Sequence, residues 1–420
     1  MSKNTNLIKE LSWRGLVKDI ANEELLGNII DSNSSFYIGF DPTADSLHLG
    51  HYSSFNVARI VTEQTGMKPI FVIGGFTGAI GDPSGKSDER KIMSKEVLEE
   101  NIASIMNQIK SLASMVGITD FEIVNNNDFY NNMTIIELFQ NYGKLFNVNK
   151  MLSKDMVKSR LDSGISLTEF SYQMFQSIDF LKLFENFNTK VQIGGSDQWG
   201  NIISGIELIR KVKGSDEEVS GITTNLITDS NGNKIGKTSD FVIWLDKSKT
   251  SSYNLFQYLI NLDDETAKDL LPKLTSITEE EFAAVTKAFD TNPKAKPFQH
   301  ELAKLILNVI HSSSAYDDAN TASQALFNDE YNLLSVDQLK SVFKQTPSIK
   351  LTSDSLIDSV IESNSINSKR EYREFLENGA IKINGQTITD EDYKVTSEDY
   401  ILDTAIVLQL GKKKKIVIWK

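Results

Sequence analysis

A chain of 420 residues, 40% hydrophobic and 24% charged, is long enough for two or three domains and ordinary for a globular protein, which sets aside collagen-like, disordered and membrane-spanning classes. Its net charge of -13 argues against a wholesale electrostatic grip on nucleic acid and leaves room only for confined basic patches. Zero cysteines exclude disulfides and thiolate zinc sites; with no apolar run near the roughly 18 residues of a spanning helix and no apolar leader in MSKNTNLIKE, a cytoplasmic location is expected.

The opening LIKELSWRGLVKDI reads as a short helix with apolar Leu11, Leu16, Val17 and Ile20, and SWRG within it looks like a turn. Phe36 to Phe40 is the first expected strand, ended by Asp41-Pro42, because proline cannot extend a central ladder. From Leu49 to about Gln64 the spacing turns helical, with Phe55, Val57, Ala58 and Val61 as packing positions. His48 and His51 then fall at the helix start, two of only four histidines in the chain. PIFVIGGF, from Pro69, has the continuous apolar character of a parallel strand buried on both faces, so strand, helix and strand make a βαβ unit. It runs into TGAIGDPSGKS, a glycine-rich turn of the kind where open α/β sheets place function. This is not a P-loop, because the position of the first glycine is taken by Ile80.

Glu96 to Val116 is expected as a long amphipathic helix, Phe121 to Val124 as a short strand running into NNNDF, and Thr134 to Phe146 as another helix. Lys150, Lys154 and Lys158 follow at i, i+4 and i+8, with Arg160 close by, a basic face that either meets solvent or approaches RNA. In EFSYQMFQSIDF, Tyr172, Gln176 and Asp179 share one helical face bordered by Phe170, Phe175 and Phe180, which is either a lined pocket or a polar stripe in water. VQIGGSDQWGN repeats the order strand, glycine turn, helix, and puts Asp197 and Gln198 at the carboxyl edge of the sheet. The helix Trp199 to Lys213 turns Ile202, Ile203, Ile206 and Ile209 inward. Strand Ile222 to Ile227 leads into DSNGNKIGKTSD, an expected mobile loop with Lys234 and Lys237 three apart. Strand signals vanish from about 251 to 327. After a polar connector around Pro347, a helix stops at Asn378-Gly379, a hairpin follows, and GKKKKIVIWK gives a basic turn into an edge strand. Two histidines at a helix start, with a distant Lys-x-x-Lys loop, suit an anion whose charge grows during reaction.

The tetrapeptide His48-Leu49-Gly50-His51 resembles the HIGH signature of class I aminoacyl-tRNA synthetases, and Lys234-Ile235-Gly236-Lys237-Thr238 resembles their KMSKS loop. Leucine replaces isoleucine in the first; isoleucine and glycine replace methionine and serine in the second. With YIGFDPTADSLHLGH, GDPSGK, SYQMFQSID and QIGGSDQWGN, these motifs make the chain similar to bacterial tyrosyl-tRNA synthetases along essentially its whole length. The resemblance implies an α/β Rossmann-like parallel-sheet catalytic domain over 1–225, a mobile loop and linker over 226–250, an α-helical domain over 251–330, a linker over 331–352 and a small α+β RNA-binding module over 353–420, similar to a fold first known from a ribosomal protein.

It also implies roles. Tyr37 and Asp179 would bind the phenol hydroxyl of tyrosine, and Asp82, Tyr172 and Gln176 its ammonium group, with Gln192 in the same subsite. Gly39, Asp41, Asp197 and Gln198 would orient the carboxylate and the ribose. Gly50 would lie along ATP, and Thr43, His48 and His51 would meet its phosphates. Lys86, Arg90, Lys234, Lys237 and Thr238 would close over pyrophosphate; the role of Ser54 stays open. ATP with Mg2+ is the implied co-substrate, with no zinc or other protein-held metal. Lys150, Lys154, Lys158 and Arg160 would approach the tRNA acceptor stem, and Lys369, Arg370, Lys412 and Lys413 would contact tRNA from the last module. A homodimer is implied. A tryptophanyl-tRNA synthetase shares both nucleotide motifs, but Tyr37 with Asp179 argues for a phenol. An RNA-binding or splicing cofactor on a synthetase scaffold is the third reading, and the intact histidines and lysines argue against it as a sole role.

Overall fold

The computed structural model describes residues 2–84, 93–158, 160–161, 164–236, 242–344, 346–351, 353–411 and 414–420. The chain divides into two compact units, one of Met1–Thr250 with Leu262–Ile310 and one of Ser251–Asn261 with His311–Lys420.

In the first unit, helix α1 (Lys3–Trp13) is capped by Ser2, whose side chain accepts from the Thr5 N–H. It ends sooner than its apolar spacing suggests. Gly15 adopts a left-handed φ of 67°, which a side chain would resist, and Val17–Ala21 becomes strand β1. Leu16, Val17 and Ile20 are therefore not helical, and the alternation that matters after Gly15 is that of an edge strand. Helix α2 (Glu23–Asp31) leads to β2 (Ser35–Phe40), then α3 (Leu49–Thr65) and β3 (Lys68–Ile73). Phe36, Phe55 and Phe71 are fully buried between them, each contributing roughly 1.5–3 kcal/mol on transfer from water. A single turn α4 (Thr77–Ile80), the long α5 (Lys95–Met115) and β4 (Glu122–Asn125) follow.

The expected helix from Thr134 to Phe146 is broken. α6 (Ile135–Glu137) passes into a π turn over Leu138–Tyr142 and a 3-10 turn from Gly143. Leu138, Tyr142, Leu145 and Phe146 all pack on the core, so the inward face is kept while the backbone changes pitch. The basic stretch is broken too, into α7 (Val148–Leu152) and α8 (Asp155–Lys158). Lys150, Lys154 and Lys158 thus do not line one continuous helix. α9 (Leu167–Phe187) begins at the Ser166 cap and stops at Asn188 in the left-handed conformation. β5 (Thr189–Gly195), α10 (Trp199–Lys213) and β6 (Ser220–Thr224) complete the sheet, β6 ending three residues before the expected limit at Ile227.

The sheet order is β1-β6-β5-β2-β3-β4, with β1 antiparallel and the other neighbours parallel. The chain runs outward from β2 through β3 to β4 and then returns to the other side of β2 at β5. The strand order reverses between β2 and β5, and beyond the carboxyl ends of these two strands lies the crevice that open α/β sheets use for ligands.

Helix α11 (Ser252–Ile260) belongs to the second unit, whereas α12 (Asp264–Leu274), α13 (Glu279–Thr291) and α14 (Pro297–Ile310) belong to the first. The buried Arg14 guanidinium donates to the carbonyls of Pro272, Thr275 and Ile277 and so joins α12 to α1. In the second unit α15 (Ala315–Phe327) packs on α11, and α16 (Val336–Val342) follows. A five-stranded sheet is then formed by β7 (Ser348–Ile349), β8 (Ile381–Ile383), β9 (Gln386–Thr387), β10 (Ala405–Leu410) and β11 (Lys414–Trp419), with α17 (Leu356–Glu362) and α18 (Lys369–Glu377) beside it. Its order is β7-β11-β10-β8-β9. The last strand is not an edge: β7 pairs with it in parallel and covers its outer side.

Candidate active site

Two cavities open at the switch point and share Asp41, Thr43, His51, Ser54, Asp82, Gly195 and Asp197. The inner one, of about 290 Å³, is lined by Tyr37, Gly39, Asp82, Tyr172, Gln176, Asp179, Gln192 and Gln198 among others. The outer one, of about 450 Å³, is lined by His48, Gly50, His51 and Lys234. Residues far apart in sequence meet here because parallel strands bring their carboxyl ends to one edge. Tyr37 and Gln192 are direct neighbours across β2 and β5.

Lining the inner cavity alone, Asp179 accepts from the Tyr130 hydroxyl at 2.7 Å and from the Asn126 amide at 2.8 Å. Burial pushes its carboxyl up to about 7, against the downward pull of those two hydrogen bonds. Tyr37 is buried against Phe180 with ring centroids 5.3 Å apart, and its hydroxyl has no hydrogen-bond partner among the described residues. Burial, then the Asp179 charge, hold its phenol proton well above the usual range. A buried hydroxyl left unpaired costs free energy unless a ligand supplies the bond.

Where the two cavities share lining, Asp41 accepts from the Tyr172 hydroxyl and the Thr77 hydroxyl, each at 3.0 Å. Asp82 accepts from the Gln198 amide at 2.6 Å, and the Gln198 carbonyl accepts from Gln176 at 3.2 Å and Asn201 at 3.1 Å. Asp41, Asp82, Asp179 and Asp197 give the walls a negative field that suits a cationic group on the ligand. Asp197 is raised by burial and pulled back by the positive charge of Lys234.

In the outer cavity the His48 Nδ1 accepts from the Gly50 N–H at 3.1 Å and the His51 Nδ1 accepts from the His48 N–H at 3.3 Å, with the two rings stacked 3.8 Å apart. An acceptor nitrogen carries no proton, so each neutral ring holds its proton on Nε2 and is a donor there. A Cβ at position 50 would lie about 3.0 Å from the His48 ring, a tight contact that would press on the ring as it folds back to cap the helix. The loop carrying Lys234 is tied to this signature: Leu49 N–H donates to the Ile243 carbonyl, Leu245 N–H to Leu47, and Ile243 N–H to Gly236.

Thus Tyr37, Gly39, Asp41, Thr43, Asp82, Tyr172, Gln176, Asp179, Gln192, Asp197, Gln198, His48, Gly50, His51 and Lys234 are brought together. Lys86, Arg90, Lys237 and Thr238 lie outside the described residues, as do Lys412 and Lys413. The basic candidates are scattered. Lys150 is 3.6 Å from Glu207, and Lys158 is exposed. Lys154 turns inward, donating to the Gly200 carbonyl at 2.7 Å, with its ammonium brought down to about 8 by burial. Arg160 is buried against Glu169 at 3.0 Å. Lys369 lies 3.3 Å from Asp358, and Arg370 is 89% exposed beside Glu374. Sequence reasoning missed Thr77, Asn126, Tyr130 and Asn201; the available signal was the run NNNDF at the carboxyl end of a parallel strand. Among the described residues no group of three histidine, aspartate or glutamate side chains is placed to hold a metal ion, and no helix is long and apolar enough to cross a membrane.

The family described as tRNA synthetases class I (W and Y) matches residues 31–328, and the tyrosine–tRNA ligase SYY-like C-terminal domain matches residues 338–418. The chain is 42% identical over 419 residues to the tyrosine–tRNA ligase of Bacillus pumilus and 40% identical over 417 residues to that of Ureaplasma urealyticum serovar 10, covering 99% of both chains in each case. A C-terminally truncated mitochondrial tyrosyl-tRNA synthetase from Aspergillus nidulans superposes with a TM-score of 0.69 at 29% identity, over 77% of this chain and 94% of that one. A tryptophanyl-tRNA synthetase from Plasmodium falciparum shares the fold at 12% identity and a TM-score of 0.56.

Proposed function

The chain belongs to the tyrosyl branch of the class I tRNA synthetases, and from that premise we propose how its residues divide the work of a tyrosine–tRNA ligase. The carboxylate oxygen of tyrosine attacks the α-phosphorus of ATP, the bond to the bridging oxygen breaks, and pyrophosphate leaves. The tyrosyl group then passes to a ribose hydroxyl at the end of tRNA, releasing AMP. No covalent bond to the enzyme forms.

The observation that carries the assignment of the inner cavity to tyrosine is the unpaired Tyr37 hydroxyl in a lining that also holds the Asp179 carboxylate. A substrate phenol can donate to Asp179 and pair with Tyr37, whereas phenylalanine leaves both unmatched. Asp82, Tyr172 and Gln176 are proposed to hold the ammonium group, with Gln192 alongside; Gly39, Asp41, Asp197 and Gln198 are proposed to align the carboxylate and the ribose. Both reactants then lie in one crevice with the reacting atoms adjacent. Gly50 lets the nucleotide approach α3 closely, and Thr43, His48 and His51 meet the phosphates. The two Nε2–H donors and the Lys234 ammonium act where negative charge develops, which is where a donor lowers the barrier rather than merely tightening binding. Lys86, Arg90, Lys237 and Thr238 are assigned to pyrophosphate on the motif resemblance. Magnesium enters with ATP as part of the substrate.

We further propose tRNA(Tyr) as the acceptor, a cytoplasmic location and a homodimer. Lys150 and Lys158, with Lys369, Arg370, Lys412 and Lys413, are the proposed tRNA contacts, and the inward-turned Lys154 and Arg160 are assigned a supporting role. The dimer is supported by Ile135, Ile136, Phe139 and Val148, exposed apolar side chains within one short stretch. ATP–pyrophosphate exchange is expected to require L-tyrosine and to be silent with phenylalanine or tryptophan. Exchange driven by tryptophan, or by no amino acid at all, would overturn the assignment.

A further inference from the structure

Tyr130 lies outside every motif in the sequence, yet it makes the shortest hydrogen bond to Asp179. Its ring is 9% exposed, stacked on Phe76 at 4.1 Å and edge-on to Phe175 at 5.7 Å. Its hydroxyl lies 2.7 Å from the Asp179 Oδ1 and 2.9 Å from the Phe175 carbonyl. A phenol has one proton to give. With Asp179 ionised, the charged acceptor takes it, because a hydrogen bond to an ion is about twice as strong as one to a neutral group. With Asp179 protonated, the Phe175 carbonyl becomes the alternative acceptor. The hydroxyl is therefore built to follow the charge on the carboxylate.

Resting on the reading of the inner cavity as the tyrosine site, we propose that Tyr130 is a positioning residue for substrate selection, its hydroxyl keeping Asp179 an ionised acceptor aimed at the substrate phenol. The surroundings make that support necessary. Asp179 is buried on α9, and the Asp41 charge beyond β2 also opposes its ionisation. Tyr37 on β2 and Tyr172 on its own helix face it as neutral phenols, held protonated by burial and by neighbouring carboxylates. Among the described residues, Tyr130 and Asn126, both following β4, are the groups that favour the anion. Asn126 is itself fixed, donating also to the Thr77 hydroxyl and accepting from the Phe76 N–H. Removing the Tyr130 hydroxyl takes away one of two counterweights to burial. The carboxyl then titrates higher, and near neutral pH it becomes a neutral acid. An acid that both donates and accepts no longer punishes a substrate lacking a hydroxyl as a buried anion does.

The test uses the full chain and Tyr130→Phe, which keeps the ring. ATP–pyrophosphate exchange is followed from pH 6 to 9 with tyrosine and with phenylalanine, and the acidic limb of kcat/KM reports the free enzyme. For Tyr130→Phe the limb should move up by about one pH unit, with KM for tyrosine raised about fivefold at pH 7, kcat little changed, and the preference for tyrosine over phenylalanine reduced about fivefold. At pH 9 the variant should approach the wild type. Site-specific 3-fluorotyrosine at position 130, a stronger donor, should move the limb the other way. An unmoved limb, or a loss equal at every pH, would overturn the proposal. A wild type inactive with tyrosine would instead overturn the reading it rests on.

Discussion

His48 caps a helix through one ring nitrogen and is proposed to meet phosphate through the other, and substitution can separate the two. Its Nδ1 caps α3 by accepting from the Gly50 N–H, while Nε2 carries the donor proposed to meet ATP phosphate. Asparagine at an N-cap accepts equally well but is too short to reach where Nε2 stands. His48→Asn should therefore melt like the wild type yet lose about 10²–10³ in kcat for exchange, the usual effect of one missing oxyanion donor, with KM for tyrosine nearly unchanged. His48→Ala should show the same kinetic loss and also lose about 1 kcal/mol of stability. Calorimetry beside exchange kinetics checks both, and equal destabilisation by the two variants would mean that the cap does not matter. The residues most legible in the sequence were those of this kind, rare types at a strand-to-helix junction. Thr77 was not legible, and for Asn126 and Tyr130 the run NNNDF marked only the strand end, because each acts through Asp41 or Asp179, a partner 36 to 53 positions away.

At the scale of elements, the parallel strands were readable because burial on both faces leaves continuous apolar runs, and α3, α5, α9 and α10 because their caps and spacing agree. β1 was hidden: its apolar residues continue the period of α1, and only the turn at Gly15 separates them. The segment from Thr134 to Phe146 misled for the opposite reason, since Leu138, Tyr142 and Leu145 keep a helical face inward while the backbone passes through π and 3-10 turns. Its outward face has no such cover, and Ile136 is 67% exposed. If this face joins two copies, Ile136→Asp should place a desolvated charge in the interface and shift the sedimenting mass from twice 47.1 kDa towards 47.1 kDa. A mass that is the same for wild type and variant would remove this segment from the interface.

For the whole molecule, the division of labour follows from where the cavities lie. Every described residue lining them belongs to the first unit, which supports the proposal that amino-acid activation is carried by that unit. The net charge of -13 disfavours a broad electrostatic hold on RNA, and the proposed tRNA contacts Lys369 and Arg370 on α18 would be local basic surface. Cutting the chain after about residue 330 should consequently spare tyrosine-dependent exchange and abolish charging of tRNA. The cut also has a structural cost within the second unit. Ala322 and Ala325 of α15, with Tyr253 of α11, pack against Tyr331, Leu334, Val407 and Val417, and the truncation strips that cover away. The shortened protein should therefore bind apolar dyes and tend to associate, while its exchange rate per folded molecule is expected to stay within about twofold of the full chain. A folded, soluble truncation lacking exchange would contradict this separation, since it would require the second unit to support chemistry that the first unit's residues alone enclose.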